Sequence, residues 1–305
     1  MLRRMASNGP NIARQLRSVL DRINAAAQRR PEHLQKREPR LVAVSKTKPV
    51  SMIVEAYACG QRHFGENYVQ ELADKSIDPE IREKCKDIKW HFIGHLQRNK
   101  VNKVTGSPGL YMVETVDSEK IAQALNNSWG KQSASEPLAV MLQVNTSGEE
   151  NKSGADPKEA DKMAFFIRDK CPHLRLAGLM TIGSVQSSTS EGPNPDFQCL
   201  SECRKMVAAA LGVEEQDLEL SMGMSQDYER AVEAGSTNVR VGSTIFGARD
   251  YPPQQSNGTP SQNSSDNPSA SSQASAQSGD TAQKCIAKDT PEATANELDH
   301  LSLGT

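Results

Sequence analysis

A lysine follows a short apolar run near the start of the chain, in the segment RLVAVSKTKP of residues 40–49. Residues 41–44 form a β-prone run, and the following Lys48-Pro49 ends any strand because proline cannot donate to a strand ladder. Lys46 therefore lies at the carboxyl end of a predicted strand, where its amine could form a Schiff base with a carbonyl group. Most lysines are solvated surface residues, so this position alone also allows an ordinary surface lysine.

Two segments rich in glycine and hydroxyl side chains follow the last two predicted strands. The residues concerned are Ser221, Gly223 and Ser225 in the first segment, and Gly242, Ser243 and Thr244 in the second. Glycine lets backbone N–H groups approach an oxyanion, and the helix predicted to begin near Asp227 adds a favourable dipole. Loops after strands 7 and 8 of a (β/α)8 barrel commonly bind phosphate. The two segments predict a phosphate site and favour the Schiff-base interpretation of Lys46.

Two further polar motifs lie at predicted strand ends. Asn67 ends the segment HFGEN and is placed to hydrogen-bond an aromatic ring oxygen near Lys46. His91 and His95, in WHFIGH, are four residues apart, which corresponds to about 13 Å along a strand. Two imidazoles at that separation cannot share one ion, so no metal site is predicted.

Short β-prone runs alternate with helical stretches from residue 41 onward. The predicted strands are Leu41–Ser45, His63–Glu66, Trp90–Gly94, Tyr111–Thr115, Leu138–Val144, Arg175–Met180, Glu219–Met222 and Asn238–Val241. The predicted helices between them are Met52–Cys59, Tyr68–Lys75, Leu96–Val104, Ser118–Trp129, Asp156–Lys170, Asp196–Leu211 and Gln226–Ala234. Eight such units predict an α/β fold, a TIM-type (β/α)8 barrel. A doubly wound open sheet is the alternative, but no GxGxxG turn follows the first strand.

Composition excludes several classes of function. The net charge of -2 gives no basic face for nucleic acid, and no apolar run reaches the length of about 20 residues that spans a bilayer. The six cysteines include no CxxC pair and no histidine at zinc-ligand spacing. We therefore expect reduced thiols and a cytoplasmic protein that binds neither nucleic acid nor membrane.

The two ends of the chain differ in composition from the barrel. The first 20 residues hold arginines but no acidic residue, which is typical of a mitochondrial transit segment. An amphipathic helix is favoured instead, because Ile12, Leu16, Val19, Leu20 and Ile23 follow one helical stripe, although both interpretations are compatible. From residue 252 the chain is rich in Pro, Gln, Ser and Asn. We expect a barrel over residues 1–251, with residues 1–38 as an N-terminal helical extension, and a disordered tail over residues 252–305.

Eight motifs resemble those of a known family. LVAVSKTKP, FGENYVQE, WHFIGHLQRNK, VNTSGEENKSG, GLMTIG, GPNPDF, LSMGMSQDYERA and RVGSTIFG, between Arg40 and Arg249, are similar to segments of the pyridoxal phosphate homeostasis proteins, a vitamin B6-binding family. The resemblance implies a fold-type III barrel, like the N-terminal domain of alanine racemase, that holds pyridoxal 5'-phosphate as an internal aldimine on Lys46. By the same resemblance, Arg240 faces the pyridine nitrogen and Asn67 lines the ring. The implied phosphate-binding residues are Ser221, Gly223, Gly242, Ser243 and Thr244.

The resemblance also bears on activity. A permanent cation beside the pyridine nitrogen disfavours its protonation and weakens the ring as an electron sink. Racemases of this fold take a second acid/base from an additional β domain, which the polar tail does not resemble. We therefore expect a monomeric, non-catalytic carrier that supplies pyridoxal phosphate to apo-enzymes, with no catalytic residue. An amino-acid racemase or decarboxylase is the alternative, and a barrel aldolase using Lys46 without cofactor is a third.

Overall fold

Eight parallel strands close into a barrel in the computed structural model, which describes residues 11–34, 37–132, 134–149 and 152–248. The strands, numbered β1 to β8 in chain order, are Arg40–Val44, His63–Glu66, Lys89–Phe92, Leu110–Val116, Leu138–Gln143, Leu174–Met180, Glu219–Ser221 and Asn238–Val241. Each strand pairs with the next, and β8 pairs with β1. The predicted TIM-type (β/α)8 barrel is confirmed, and every strand lies within two residues of its predicted bounds.

Helices cover the outside of the barrel. Numbered α1 to α11 in chain order, they are Ile12–Gln28, Val50–Ala58, Val69–Ile77, Pro79–Lys84, Val101–Thr105, Glu119–Trp129, Ala160–Lys170, Val185–Thr189, Pro195–Leu211, Tyr228–Glu233 and Ser243–Phe246. Short 3-10 turns occupy Glu32–Leu34, Arg98–Lys100, Pro157–Glu159 and Glu215–Asp217. Apolar side chains from the helices and from the outer face of the strands form the core between the two layers, including Ile53, Phe64, Leu72, Trp90 and Val239.

Four of these helices differ from the sequence predictions. The helices α4, α8 and α11 were not predicted, and the helix predicted over residues 96–104 is a 3-10 turn followed by the short α5. Helix α4 begins with a clear signal, because the Asp78 carboxylate accepts hydrogen bonds from the Glu80 and Ile81 amides and Pro79 occupies the first helical position. The helix is short, so it lacks the apolar periodicity on which the prediction was based.

Helix α1 is part of the barrel layer. Asn11 caps it by accepting a hydrogen bond from the Arg14 amide, and its buried stripe includes Ile12, Leu16 and Ile23. Leu20 was predicted on this stripe but is 36% exposed. At about 100° per residue it lies roughly 80° from the first residue of the stripe, beyond the buried sector. Salt bridges join α1 and its C-cap residue Arg29 to α10, including one of 2.6 Å from Arg29 to Glu233.

The first and last strands bring the two ends of the barrel sequence together. Val42 pairs with Arg240 and Leu41 pairs with Val239 in the β1–β8 register. The carboxyl ends of these strands therefore lie side by side, and the segments that follow them share one face of the barrel.

Other sequence predictions concern the rest of the chain. The tail over residues 252–305, for which disorder is predicted, and the first ten residues lie outside the described ranges. Within those ranges, no helix combines the length and apolarity that a bilayer span requires. The cysteines at positions 59, 85, 171, 199 and 203 are free thiols.

Candidate cofactor site

A cavity of about 350 Å³ opens at the carboxyl ends of the strands. This is the face on which (β/α)8 barrels carry their active sites, and the volume is typical of a small-molecule pocket. Its lining residues are Val44, Lys46, Lys48, Asn67, Ile93, Met180, Ile182, Ser188, Met224, Ser225, Gln226, Asp227, Arg240, Gly242, Ser243 and Gly247. The structure thus brings together five of the predicted site residues: Lys46, Asn67, Arg240, Gly242 and Ser243.

Lys46 occupies a tight turn directly after β1. The Lys48 amide donates to the Ser45 carbonyl oxygen at 3.0 Å, which closes the turn around Lys46. Thr47 has a φ of 60°, a left-handed conformation that is uncommon for a residue with a β-branched side chain. Its amide donates to Glu71 at 2.7 Å. The backbone on both sides of Lys46 is therefore held by specific hydrogen bonds.

Lys75 of α3 stabilises this turn by hydrogen bonds. Its buried ammonium group donates to the Ser45 carbonyl oxygen at 2.8 Å and to Glu66 and Glu71 at 2.8 and 2.7 Å. The Ser45 hydroxyl also donates to Glu66, at 2.6 Å. Burial raises the pKa of the Glu66 carboxyl, while Lys75 opposes that effect. Sequence reasoning placed Lys75 only at the end of a predicted helix, and the i, i+4 spacing of Glu71 and Lys75 was the available signal.

Arg240 is held by two hydrogen bonds. It is 4% exposed, and its two terminal nitrogens donate to the Ser221 hydroxyl at 2.5 Å and to the Thr181 carbonyl oxygen at 2.8 Å. Burial lowers the pKa of the guanidinium, and the charge of Glu114 opposes this effect. An arginine nevertheless remains a cation at neutral pH. Arg240 therefore presents a fixed positive charge to the cavity.

Ser221, a predicted phosphate residue, lies outside the cavity lining. It is fully buried behind Arg240, outside the residues that line the cavity, and its hydroxyl donates to Glu114 at 2.6 Å. Ser225, four residues later in the same motif, lines the cavity instead. Ser221 still belongs to β7, whereas Ser225 lies in the loop that follows that strand.

Gly223 and Thr244 also lie outside the lining. A Cβ atom on Gly223 would come within 2.4 Å of the Ala231 Cβ, and its φ is 94°, so close packing against α10 requires glycine there. Thr244 is half-buried in α11. The phosphate contacts expected of these two residues stay a prediction.

The loops after β7 and β8 carry hydroxyl and amide groups suited to an oxyanion. The Ser225 hydroxyl accepts a 3.3 Å hydrogen bond from the Gly242 amide, which joins the loops after β7 and β8. A Cβ atom on Gly242 would come within 3.1 Å of the Val44 carbonyl oxygen, so glycine permits this loop to lie close to β1. Ser243 adds a second hydroxyl. These groups fit a phosphate.

Asn67 lines the cavity with an unused hydrogen-bonding atom. Its Oδ1 is buried and has no hydrogen-bond partner among the described residues. Such an atom is costly unless a ligand or water supplies a donor. The Asn67 amide, which has both a donor and an acceptor, can hydrogen-bond the phenolic oxygen of pyridoxal 5'-phosphate, so Asn67, a lysine, an arginine and the oxyanion loops together fit this cofactor.

The two histidines considered as metal ligands do not meet. His91 is buried and lies 2.6 Å from Glu114, whereas the exposed His95 lies 3.6 Å from Asp117. No group of three or more metal-ligating side chains occurs in the described ranges.

Comparison with known proteins places the chain in a family. The alanine racemase N-terminal domain family matches residues 19–250. The mouse pyridoxal phosphate homeostasis protein is 55% identical over 236 residues, which is 77% of this chain and 86% of that protein. PipY of Synechococcus elongatus, in a structure with PLP bound, is 30% identical with a TM-score of 0.60, covering 78% of this chain and all of that one.

A more distant likeness concerns the fold alone. Alanine racemase from Corynebacterium glutamicum is 16% identical with a TM-score of 0.51, covering 77% of this chain and 63% of that enzyme. The identity to the homeostasis proteins over most of both chains is far higher. The chain therefore belongs to the pyridoxal phosphate homeostasis protein family.

Proposed function

We propose that this chain binds pyridoxal 5'-phosphate covalently and reversibly at Lys46 and acts in intracellular vitamin B6 homeostasis. The observation that carries the proposal is the convergence of Lys46, Asn67, Arg240 and the loops after β7 and β8 on one cavity. The name of the mouse relative and the PLP-bound structure of PipY support it.

Each of these residues would contact a different part of the cofactor. The Lys46 amine would attach the aldehyde, and the Asn67 side-chain amide would hydrogen-bond the phenolic oxygen. Ser225, Gly242 and Ser243 would hold the phosphate, and Arg240 would face the pyridine nitrogen. When bound, the cofactor supplies an aldehyde that condenses with amines and a ring that stabilises carbanions.

We further propose that the chain is a carrier and not an enzyme. Arg240 is a buried cation, and a cation at the ring nitrogen disfavours the protonation on which strong carbanion stabilisation depends. Two other polar groups of the cavity are engaged in structural contacts, since Lys48 donates to the Ala248 carbonyl oxygen at 2.5 Å and Asp227 accepts from the Met224 amide at 2.7 Å. These features favour holding the cofactor over turnover.

The same proposal covers partners and organisation. PLP-dependent apo-enzymes would receive the cofactor, and the protein would act as a monomer in the cytoplasm, with a mitochondrial fraction if the arginine-rich start is a targeting segment. Residues 1–251 would form the binding domain and residues 252–305 a separate polar tail.

Absorption spectroscopy and mass spectrometry test the proposal. Purified protein mixed with pyridoxal 5'-phosphate should develop a visible band, and borohydride should fix the cofactor on the peptide that contains Lys46. Lys46→Ala should abolish the band, while Lys89→Ala, at the other end of the barrel, should retain it. Modification of Lys48 in place of Lys46 would refute the site, and rapid racemisation or decarboxylation of amino acids by pure protein would refute the carrier function.

A further inference from the structure

A network of buried polar side chains crosses the inside of the barrel below the cavity. It joins residues of four strands: His91 of β3, Glu114 of β4, Ser221 of β7, and Asn238 and Arg240 of β8. Glu114 is fully buried at its centre. The proposed binding function does not use this carboxylate directly, and an ionised group in a barrel interior needs a specific compensation.

The partners of the Ser221 hydroxyl fix which groups donate and which accept hydrogen bonds. Arginine can only donate, so the Ser221 oxygen accepts from the Arg240 nitrogen at 2.5 Å. The Ser221 proton then points to the Glu114 Oε2, 2.6 Å away. The Asn238 amide donates to both carboxylate oxygens at 3.1 Å. Arg240 therefore donates a hydrogen bond to the Ser221 hydroxyl, and that hydroxyl donates to the Glu114 carboxylate.

The charges of the network agree with this arrangement. Burial alone raises the pKa of Glu114, but the hydrogen bond and charge of His91 and the charge of Arg240 lower it to about 2. Glu114 is thus an anion at neutral pH. Asp227, on the rim of the cavity, is the other carboxylate whose charge acts on Arg240.

We propose that Glu114 is a positioning residue, which holds the Arg240 guanidinium in one orientation through the Ser221 hydroxyl and sets the electrostatic environment of the pyridine ring. The inference rests on the proposed binding of pyridoxal 5'-phosphate. A carboxylate in direct contact with the ring nitrogen would favour its protonation. Glu114 instead contacts Arg240 through the Ser221 hydroxyl, so its negative charge balances the buried guanidinium. Arg240, and not Glu114, then faces the cavity.

The test is a pH titration of the visible absorption band in the cofactor-loaded full-length protein. Glu114→Gln keeps the shape of the side chain but removes a negative charge, so the site becomes more positive and protonation of the bound cofactor less favourable. We expect the midpoint of the spectral transition to fall by about 0.5–1 pH unit. Glu219→Gln is the matched control, since Glu219 is a buried carboxylate of β7 that pairs with Arg40 at 2.7 Å.

Ser221→Ala provides the second variant, because it removes the bridge and keeps the charge of Glu114. In its crystal structure we expect the Arg240 guanidinium to leave its wild-type position. If Glu114→Gln does not fold, this structure decides the question. An unchanged spectral midpoint in folded Glu114→Gln, or an unmoved Arg240 in Ser221→Ala, would overturn the inference. Failure of the wild-type protein to bind the cofactor at all would instead overturn the proposed function.

Discussion

The ammonium nitrogen of Lys75 lies 2.8 Å from the backbone carbonyl oxygen of Ser45, the residue that immediately precedes Lys46. The same ammonium group contacts Glu71, which accepts from the amide of Thr47 on the other side of Lys46. The buried Lys75 side chain therefore stabilises the backbone on both sides of Lys46, the proposed Schiff-base lysine. This contact links the outer helical layer to the cavity.

Replacement of Lys75 by methionine should destabilise the protein and impair the site together. Glu66 would be left buried without its cation, which costs about 3 kcal/mol of unfolding free energy. The looser turn should also slow the appearance of the visible band on addition of pyridoxal 5'-phosphate. Urea unfolding of the cofactor-free protein and stopped-flow absorbance measure the two effects. Lys84→Met, which removes an exposed i, i+4 pair with Glu80, is the control and should change neither. Wild-type behaviour of Lys75→Met would contradict this role.

Replacement of Ser225 by alanine should weaken binding through the phosphate alone. A hydrogen bond to a charged group contributes about 1.5 kcal/mol, so the dissociation constant for pyridoxal 5'-phosphate should rise about tenfold. The affinity for pyridoxal, which has no phosphate, should stay the same. Equilibrium titrations with both compounds give the comparison. An equal loss for both compounds would show that Ser225 acts on the ring or on the fold.

His63 should make the stability of the protein depend on pH in the weakly acidic range. Burial, followed by the charge of the neighbouring His91, lowers the pKa of His63 from 6.5 to about 3. The unfolded chain therefore binds a proton below about pH 6.5 that the folded chain does not, so the free energy of unfolding falls as the pH drops from 6.5 toward 3. The slope per pH unit is below about 1.4 kcal/mol, because His63 is partly exposed and screened by solvent.

His63→Asn should remove this component of the pH dependence. Its free energy of unfolding between pH 6.5 and 5 should vary less than that of the wild type, whereas the two curves should be parallel above pH 7. Urea unfolding at a series of pH values provides the data. Parallel curves over the whole range would mean that His63 takes up a proton in the folded protein.

The sequence predicted the strands that carry the site better than the contacts among the side chains inside the barrel. Alternating β-prone and helical stretches located all eight strands, and the strand end at Lys46 placed that lysine on the correct face. Which serine of the motif lines the cavity, Ser221 or Ser225, depends on where β7 ends and its loop turns, and no local pattern sets that boundary. No local pattern links Glu114 to Arg240, since the two are joined through the Ser221 hydroxyl across the closed barrel.

The contact of Lys75 with the turn at Lys46 was also missed, because its partner is distant in sequence. Helical periodicity predicted the end of α3, but the contact with Ser45 depends on how that helix packs against β1. The missed residues are therefore those whose partners are distant in sequence, which single-segment periodicity does not report.

The pairing of β1 with β8 has a consequence for biosynthesis. Arg40 and Asn238, 198 positions apart, lie 3.3 Å from each other through their side chains, and the cavity takes Lys46 from one strand end and Gly242 from the other. A nascent chain cannot assemble this pocket until its last strand has left the ribosome and joined the first. Vitamin B6 in the cell would then bind only finished barrels, and by mass action it would protect them against unfolding and proteolysis.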